Sequence, residues 1–422
     1  MICSHDSGCK QNKGRYLLKG KAMEKIIMKL LCCSAMSAVF CVDPAGGNDG
    51  GELQPKKMFD VAYVKGDLAE FDWSKLPKLK SETAVVVRGV ENVTGFNLHS
   101  YLCRYEGKFW LMWSCSPEHE GRAGQYLRYA TSDDGIKWDE PQTLAPPDEN
   151  KTMRYNARGF WVRDNELLAL GSRGEEGKYF GPSLELRCWQ WNKVSKKWVY
   201  KGVVFDKAIN NFPPKQLDSG EWMMTRRDCD KNISVLIGGV ESINDWEVVD
   251  IKARQDKSKM AEPFWWKLDN GELVMGFRDN SWSKKLYRAF GSRSGREWTP
   301  PVRSNFPDAK AKFNVFKTSK GDYVLVNNPS PKGRIPLCLS VSADGVTFTK
   351  MGVLKGDPTQ PRYLELSDKW RYNSWGYNYP HIMEHAGNLF IAYARNKEDI
   401  EVLKVPLSEI ERLKNFTMED GI

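Results

Sequence analysis

The sequence is poor in residues that bind metals. It has 5 histidines in 422 residues, and none of its 10 cysteines stand in the C-x-x-C spacing of a metal site. Five cysteines lie within the first 41 residues, and the other five are Cys103, Cys115, Cys188, Cys229 and Cys338. Because that number is odd, at least one of the five is unpaired. We therefore predict no metal site and cysteines that act as small apolar side chains.

Motifs for nucleic-acid binding are also absent. The formal net charge is +9, but the basic residues are scattered and mixed with Asp and Glu. Proteins that bind nucleic acids concentrate their positive charge in a patch or along one face. The charge therefore favours an acidic substrate or a solubilised surface, and we predict no nucleic acid among the partners.

Helical periodicity and flexible linkers are nearly missing. Only residues 406–415, PLSEIERLKN, are patterned as a helix, and we expect Ser408 to cap its N-terminus. No segment is a linker rich in Pro, Gly or Ser, and a composition with 41% apolar and 12% aromatic residues is globular. We therefore predict a single domain over residues 46–422.

Residues 1–45 have the features of a leader. Lys25 and Lys29 precede an apolar run at 30–42, and small residues follow. This pattern is typical of a secretory signal peptide at about residues 23–45, and the run is too short to span a membrane. We expect a secreted or periplasmic protein with no membrane span after removal of the signal. The alternative is an apolar N-terminal tail that packs on the domain.

The sequence does contain a repeated hairpin. Its 16 tryptophans lie mostly in short alternating runs, which favour strands. Six times a turn with Gly or Asn leads into such a run, as in LDNGELVMGF at 268–277. These residues tolerate the positive φ of a tight hairpin. The turns are centred on residues 107, 165, 220, 271, 321 and 387, and this spacing indicates propeller blades.

A second motif, S-x-[DS]-G-x-x-[WF], recurs in phase with the hairpins. It occurs at 132–138, 292–298 and 342–348, and decayed copies lie at 192–198 and 240–246. In such a loop the Ser or Asp side chain bonds turn amides, Gly takes a strained conformation, and the aromatic ring fills space between sheets. We expect its role to be structural.

Together the repeats predict an all-β protein, a six-bladed β-propeller of four-stranded antiparallel blades. The segment 61–90, before the first hairpin, contains two strand-like runs, VAYV and TAVVVRGV. One of them is expected to close the ring by completing the last blade.

With these repeats the sequence resembles the sialidase superfamily over residues 95–406, and the second motif resembles the Asp-box of BNR-repeat proteins. The resemblance implies a retaining exo-glycosidase that needs no metal or cofactor. In such enzymes a Tyr attacks the sugar, a Glu takes its proton, an Asp protonates the leaving oxygen, and three Arg bind the substrate carboxylate. A neutral phenol avoids repulsion with an anionic substrate, and the planar Arg fork suits a carboxylate.

Four positions match the sialidase pattern. Glu262 opens an inner strand and Arg278 follows 16 residues later, as the base and the second Arg do. Arg334 precedes Ser342 of its Asp-box by eight residues, which is the offset of the third Arg. Tyr379 begins the inner strand of the last blade. The resemblance thus implies Tyr379 as nucleophile, Glu262 as its base, and Arg278 and Arg334 as carboxylate ligands.

Three positions depart from the pattern. Asn97 stands where the first Arg is expected, which makes it a candidate substrate-binding residue. Counting 12 residues back from Ser132 gives Glu120 as the acid, where sialidases have Asp. His99 begins an inner strand and is a candidate for acid–base chemistry that ordinary sialidases lack.

Further arginines are candidates for substrate binding. Arg158 opens the inner strand of the second blade and is able to replace the first Arg. Arg226 and Arg227 end a hairpin strand at the position matching Arg278. One of them is expected to face the mouth of the propeller, and we choose Arg227.

The predicted function is a secreted sialidase-like exo-glycosidase that hydrolyses a terminal acidic sugar from a glycan or oligosaccharide. The missing first Arg points to another 2-keto sugar acid or to a glycan containing uronic acid. One alternative is a uronate polysaccharide lyase or unusual glycosidase on the same propeller, with His99 and a Tyr as base and acid. The other is a non-catalytic propeller that binds glycans.

Overall fold

The repeats fold into six antiparallel sheets. The protein is described by a computed structural model over residues 57–178, 180–251, 259–363 and 375–417. The predicted signal peptide at 23–45 lies outside the described residues. Each of the six sheets has four strands, and neighbouring sheets pack against one another around a ring. This arrangement confirms the predicted all-β, six-bladed propeller.

Blades 1 to 3 are built from consecutive strands, with the first strand of each blade innermost. Blade 1 comprises β2 (Phe96–Tyr105), β3 (Lys108–Ser116), β4 (Tyr126–Ser132) and β5 (Gln142–Ala145). Blade 2 comprises β6 (Met153–Arg163), β7 (Glu166–Glu175), β8 (Glu185–Asn192) and β9 (Lys197–Asp206). Blade 3 comprises β10 (Lys215–Gln216), β11 (Trp222–Arg227), β12 (Ile233–Gly238) and β13 (Trp246–Asp250).

Blades 4 and 5 follow the same plan, and blade 6 takes its outer strand from the start of the domain. Blade 4 comprises β14 (Met260–Lys267), β15 (Leu273–Asp279), β16 (Lys285–Gly291) and β17 (Val302–Pro307). Blade 5 comprises β18 (Asn314–Lys317), β19 (Tyr323–Asn327), β20 (Leu337–Ser342) and β21 (Lys350–Lys355). Blade 6 comprises β22 (Tyr377–His385), β23 (Asn388–Arg395), β24 (Asp399–Pro406) and β1 (Glu82–Val87).

Strand β1 closes the ring as predicted. It comes from the run TAVVVRGV and pairs antiparallel with β24, with Glu82 opposite Lys404. The other candidate, VAYV, forms no strand. Instead the buried Tyr63 donates its hydroxyl hydrogen to the Met351 carbonyl at 2.7 Å and accepts from the Met351 amide, which holds this segment against blade 5.

The Asp-box loops connect the third and fourth strands of their blades. In the loop of blade 5, Gly345 N donates to Ser342 Oγ at 2.9 Å, and Asp344 accepts from the amides of Val346 and Thr347 at 2.8 Å. Trp266, in the preceding blade, donates its indole N–H to the Gly345 carbonyl at 2.9 Å. The loop therefore joins neighbouring blades and has the structural role that the sequence predicts.

One α-helix is present among the described residues, and it is the helix expected at 406–415. This helix, α1 (Leu407–Asn415), packs its buried Ile410 and Leu413 against β21 and β24. The predicted N-cap is wrong: Pro406 occupies that position, and Ser408 lies inside the first turn. The chain leaves β24 directly into the helix, so no residue with a capping side chain comes between them. Within the described residues, no helix has the length and apolar character needed to cross a membrane.

Candidate active site

A cavity of about 520 Å³ is lined by residues from all six blades. Eight of the nine predicted site residues line it: His99, Glu120, Arg158, Arg227, Glu262, Arg278, Arg334 and Tyr379. Lys310 and Lys397 also line it, so the cavity has six cationic side chains against two carboxylates. This excess of positive charge favours an anionic ligand.

Three of these residues stand at bulges in innermost strands. The pairing register shifts between Leu98 and Tyr101 in β2, between Ala261 and Phe264 in β14, and between Asn378 and His381 in β22. The residues inside the bulges, His99, Glu262 and Tyr379, have φ of 60°, 46° and 58°. The backbone of a residue other than glycine is strained at positive φ, and a bulge changes the direction of a side chain relative to the regular ladder. The same device therefore turns each of the three side chains into the cavity.

Tyr379, Arg278 and Glu262 form one hydrogen-bonded cluster. Arg278 Nη1 donates to Glu262 Oε2 at 2.8 Å and to the Tyr379 hydroxyl oxygen at 3.2 Å. The three residues come from blades 4 and 6, and Tyr379 lies 101 residues after Arg278 in the chain. The cluster joins a phenol, a carboxylate and a guanidinium within hydrogen-bonding distance.

The protonation states of the pair follow from these contacts. Burial raises the pKa of Glu262, but the charge and hydrogen bond of Arg278, with Lys312 and the Tyr379 hydroxyl, outweigh it and lower this pKa to about 2. Burial and the Glu262 carboxylate raise the pKa of Tyr379 above its usual value of 10, although Arg278 opposes them. At neutral pH the pair is therefore a neutral phenol beside an ionised carboxylate.

The other arginines surround this cluster. The Arg334 guanidinium lies 5.4 Å from the centre of the Tyr379 ring, and Arg227 lies 4.6 Å from that of Phe180. Arg158 donates from Nε to Ser172 Oγ at 2.8 Å. The Nε atoms of Arg227, Arg278 and Arg334 have no hydrogen-bond partner among the described residues. Buried donors are normally paired, so these arginines favour a ligand that accepts hydrogen bonds.

Glu120 reaches the cavity from the loop after β3 and is bound to a lysine. Lys397 Nζ donates to Glu120 Oε2 at 2.9 Å. Burial raises the pKa of Glu120, but the charge and hydrogen bond of Lys397, together with His99 and Arg154, outweigh it and lower this pKa to about 2. In this structure Glu120 is therefore a carboxylate at neutral pH and holds no proton to donate.

His99 lies between Glu120 and Tyr379. Its Nε2 is 3.7 Å from Glu120 Oε1, and its ring centre is 5.3 Å from that of Tyr379. Its Nδ1 is 3.1 Å from Ser114 Oγ, which accepts a hydrogen bond from the Ala157 amide. Burial lowers the pKa of His99 well below its usual value of 6.5, and Glu120 offsets this only in part. His99 is therefore neutral at neutral pH.

Asn97 does not line the cavity. Its side chain is fully buried, and Nδ2 donates to the carbonyls of Thr94 and Glu398 at 2.8 and 2.6 Å. Its Oδ1 accepts from the indole of Trp113 at 2.9 Å. Because all its polar atoms are bound to protein, the structure gives Asn97 a scaffold role, in place of the substrate contact expected from its position in the sequence.

Two buried lysines were missed by the sequence analysis. Lys397 lies in the turn between β23 and β24 at φ 59°, and no repeat offset marks that turn. Lys312 is 1% exposed, and its ammonium donates to the Tyr101 hydroxyl at 2.8 Å and lies 5.6 Å from the Tyr379 ring centre. A lysine in a loop normally indicates a solvated surface, so the sequence carries no signal for either position.

Metal-binding groups are not concentrated at the cavity. In the part of the chain that the structure describes, no group of three or more His, Cys, Asp or Glu side chains is placed to hold a metal ion. The five cysteines described there are all free thiols, which agrees with the prediction that at least one is unpaired.

The sequence matches one family model. Residues 195–391 match the BNR repeat-like domain, which includes the hairpins of blades 4 and 5 and the Asp-boxes at 292–298 and 342–348. Among curated proteins nothing matches significantly.

Solved structures with this fold include several sialidases. One sialidase has a TM-score of 0.58 and 18% sequence identity, and the match covers 83% of this chain. A Trypanosoma rangeli sialidase in complex with 2,3-difluorosialic acid, a covalent intermediate, has a TM-score of 0.59 and 12% identity, and the match covers 80% of this chain. A Dyadobacter fermentans protein of unknown function has a TM-score of 0.62 and 12% sequence identity, and the match covers 78% of this chain and 100% of that protein. The chain spans 35% and 60% of the length of the two sialidases. At these identities the likeness concerns the fold: the chain is a six-bladed β-propeller whose fold is similar to that of these sialidases, and its residues 195–391 match the BNR repeat-like domain.

Proposed function

We propose that this protein is a retaining exo-glycosidase that hydrolyses a terminal acidic sugar from a glycan. The observation that carries the proposal is the cluster of Tyr379, Arg278 and Glu262 inside a cationic cavity. The similar structures support it, because they include sialidases, one of them with 2,3-difluorosialic acid as a covalent intermediate. Because a signal peptide is predicted at about residues 23–45, we also propose that the protein acts outside the cell or in a periplasm.

In this mechanism Tyr379 is the nucleophile and Glu262 its base. The phenol is neutral when the anionic sugar enters, so the two do not repel each other. As the Tyr379 oxygen bonds to the anomeric carbon, its proton passes to Glu262, which is ionised and shares the Arg278 Nη1 donor with the phenol. Arg278, bonded to both partners, stabilises the negative charge that develops on the phenol oxygen.

The arginines bind the acidic group of the sugar. Arg278 and Arg334 flank Tyr379, and Arg227 and Arg158 line the same cavity. The planar guanidinium forms two parallel hydrogen bonds with a carboxylate, which fixes the sugar ring over the nucleophile. Glu120 is the acid for the leaving oxygen and needs to gain a proton when substrate binds.

The test is the Tyr379→Phe variant of the full chain, assayed with a fluorogenic sialoside and with a panel of uronate polysaccharides. Loss of the nucleophilic oxygen should lower kcat/KM by about a thousandfold or more on the true substrate. Tyr377→Phe is the matched control, since Tyr377 lies two residues away in β22 and donates its hydroxyl hydrogen to the Asp357 carbonyl. Equal activity of the two variants would contradict the proposal, and affinity for a glycan without turnover would indicate a binding propeller.

A lyase is the second candidate, and the position of His99 favours it. A neutral imidazole 5.3 Å from the Tyr379 ring is a suitable base for the C5 proton of a uronate whose carboxylate is neutralised by Arg. A lyase leaves an unsaturated sugar, so a polysaccharide that gains ultraviolet absorbance while the sialoside stays intact would favour this reaction.

A further inference from the structure

Lys397 occupies an unusual place for a lysine. Its side chain is 7% exposed, lines the cavity and is bonded to Glu120. Burial, together with the positive charges of Arg334 and Arg278, lowers the pKa of Lys397, although Glu120 opposes this. A buried ammonium beside two guanidinium groups is costly, and a second anion in the cavity would relieve that cost.

The turn that holds Lys397 is rigidly fixed. The Lys397 carbonyl accepts from the Asn97 amide at 2.7 Å, and the next carbonyl, of Glu398, accepts from the Asn97 side chain at 2.6 Å. Asn396 accepts from the Gly376 amide at 2.9 Å and donates to the Gln360 carbonyl at 3.0 Å. The backbone is therefore preorganised, while the side chain keeps four rotatable bonds with which to move its ammonium. Through these two hydrogen bonds Asn97 positions the turn that holds Lys397.

We propose that Lys397 binds the anionic group of the substrate and, in doing so, exchanges partners. Without substrate its ammonium bonds to Glu120. With substrate it turns to the sugar carboxylate beside Arg278 and Arg334, and Glu120 loses the ammonium that donates a hydrogen bond to it. The inference rests on the proposed function and supplies the cation that Asn97 lacks, from blade 6 in place of blade 1.

The exchange explains how Glu120 becomes an acid. When Lys397 withdraws, Glu120 takes one proton from solvent. This proton passes to the leaving oxygen as the glycosidic C–O bond breaks and the Tyr379–carbon bond forms. The water that then cleaves the Tyr379–carbon bond gives one proton back to Glu120, and Glu262 returns its proton to Tyr379. When the sugar leaves, Lys397 bonds to Glu120 again and one proton returns to solvent.

Other charged groups near Glu120 act on the same proton. Among the described residues, charged and titratable side chains that interact with Glu120 come from blades 1, 2, 5 and 6 and include His99, Arg154, Arg158, Arg334, Tyr379 and Lys397. Of these, Lys397 is the one whose ammonium makes a hydrogen bond of 2.9 Å to the carboxylate. Removal of the Lys397 ammonium should therefore change the protonation of Glu120 more than removal of any other of these charged groups.

The test is calorimetric titration of the full chain at pH 6, in two buffers of different ionisation enthalpy, with N-acetylneuraminic acid and with D-glucuronic acid. The methyl ester of each sugar is the uncharged control. We expect uptake of up to one proton when the effective acid sugar binds, and none with its ester. Lys397→Met should abolish the uptake and weaken binding about tenfold to a hundredfold, and Lys397→Arg should restore the affinity.

Glu120→Gln is the second variant. It should also abolish proton uptake, but it should bind the acid sugar at least as tightly as the unmodified chain, because Lys397 then has no competing carboxylate. Lys320→Met removes an exposed charge of β-hairpin 318–322 and should change neither quantity. Thermal unfolding checks that each variant is folded.

The outcomes separate the two proposals. Proton uptake that persists in Lys397→Met, equal uptake with the ester, or weaker binding by Glu120→Gln would overturn the inference while leaving the glycosidase intact. If neither acid sugar binds the unmodified chain, the proposed function fails for these sugars and the inference fails with it.

Discussion

The two carboxylates of the cavity, Glu120 and Glu262, each accept a hydrogen bond from a cationic side chain. Lys397 holds the first at 2.9 Å and Arg278 the second at 2.8 Å. A buried ion pair gains little net stability over an apolar pair, but loss of one partner leaves an uncompensated charge. These two pairs are therefore better explained by chemistry at the cavity than by stabilisation of the fold.

The Glu262 pair makes stability depend on pH. The folded protein lowers this pKa to about 2 from 4.5, so the stabilisation is complete above pH 4.5 and is lost as the pH falls toward 2. Between pH 7 and pH 3 the free energy of unfolding should fall by about 2 kcal/mol through this group. Urea unfolding at both pH values should show a smaller fall in Glu262→Gln. The exposed Glu118→Gln is the control, and a Glu262→Gln that behaves like it would refute the prediction.

At this scale the sequence is informative where a residue lies at a fixed offset from a repeat. Glu262, Arg278, Arg334 and Tyr379 were located that way and lie in one cavity. Asn97 was also located by its position, but its side chain points into protein contacts, because position in a strand does not fix side-chain direction next to a bulge. Lys397, in a turn outside the repeats, could not be found.

The elements that give this propeller its cavity are bulged inner strands. Strands β2, β14 and β22 each break their register at a residue with positive φ. Nothing in the sequence around His99, Glu262 or Tyr379 marks a bulge, because none of them is the glycine or asparagine that tolerates this conformation most readily. The hairpins and Asp-boxes, which do carry such residues, were predicted correctly. Local sequence thus encodes the scaffold, while the strain at the site depends on tertiary packing.

The Asp-box glycine should matter through packing as well as through φ. Gly345 has φ 72°, and an added Cβ would lie 2.8 Å from Leu268 Cδ2 and 3.0 Å from the Tyr323 ring. Gly321, in a hairpin of the same blade, has φ 92° and no heavy atom within 4 Å. In urea unfolding, Gly321→Ala should cost about 1–2 kcal/mol, for the backbone alone. Gly345→Ala should cost about 1–3 kcal/mol more through the contact. Equal losses would contradict the contribution of this contact to stability.

At the scale of the whole molecule, the site exists only when the ring is closed. The cavity takes residues from every blade, and the cluster of Tyr379 with Arg278 and Glu262 joins blade 6 to blade 4. Each blade is formed by local hairpins, whereas β1 and β24 are about 300 residues apart in the chain. Such a pairing is costly in loop entropy, so it has to be repaid by burial between blades 6 and 1.

Val86 and Val85 test that closure, because they are adjacent in β1 and face opposite sides. Val86 is 7% exposed and packs in a cluster with Phe96 and Leu98 of blade 1 and Val402 of blade 6, while Val85 is 40% exposed. Val86→Asp places an uncompensated charge in that cluster and should cost about 3–5 kcal/mol in urea unfolding, against little for Val85→Asp. Because all blades share the ring, the loss in Val86→Asp should be global: hydrogen exchange should speed up in β14 and β18 as well as in β24. Faster exchange confined to blade 6 would mean that the blades are stable one by one, and that the cavity residues are held by their own blades and not by the closed ring.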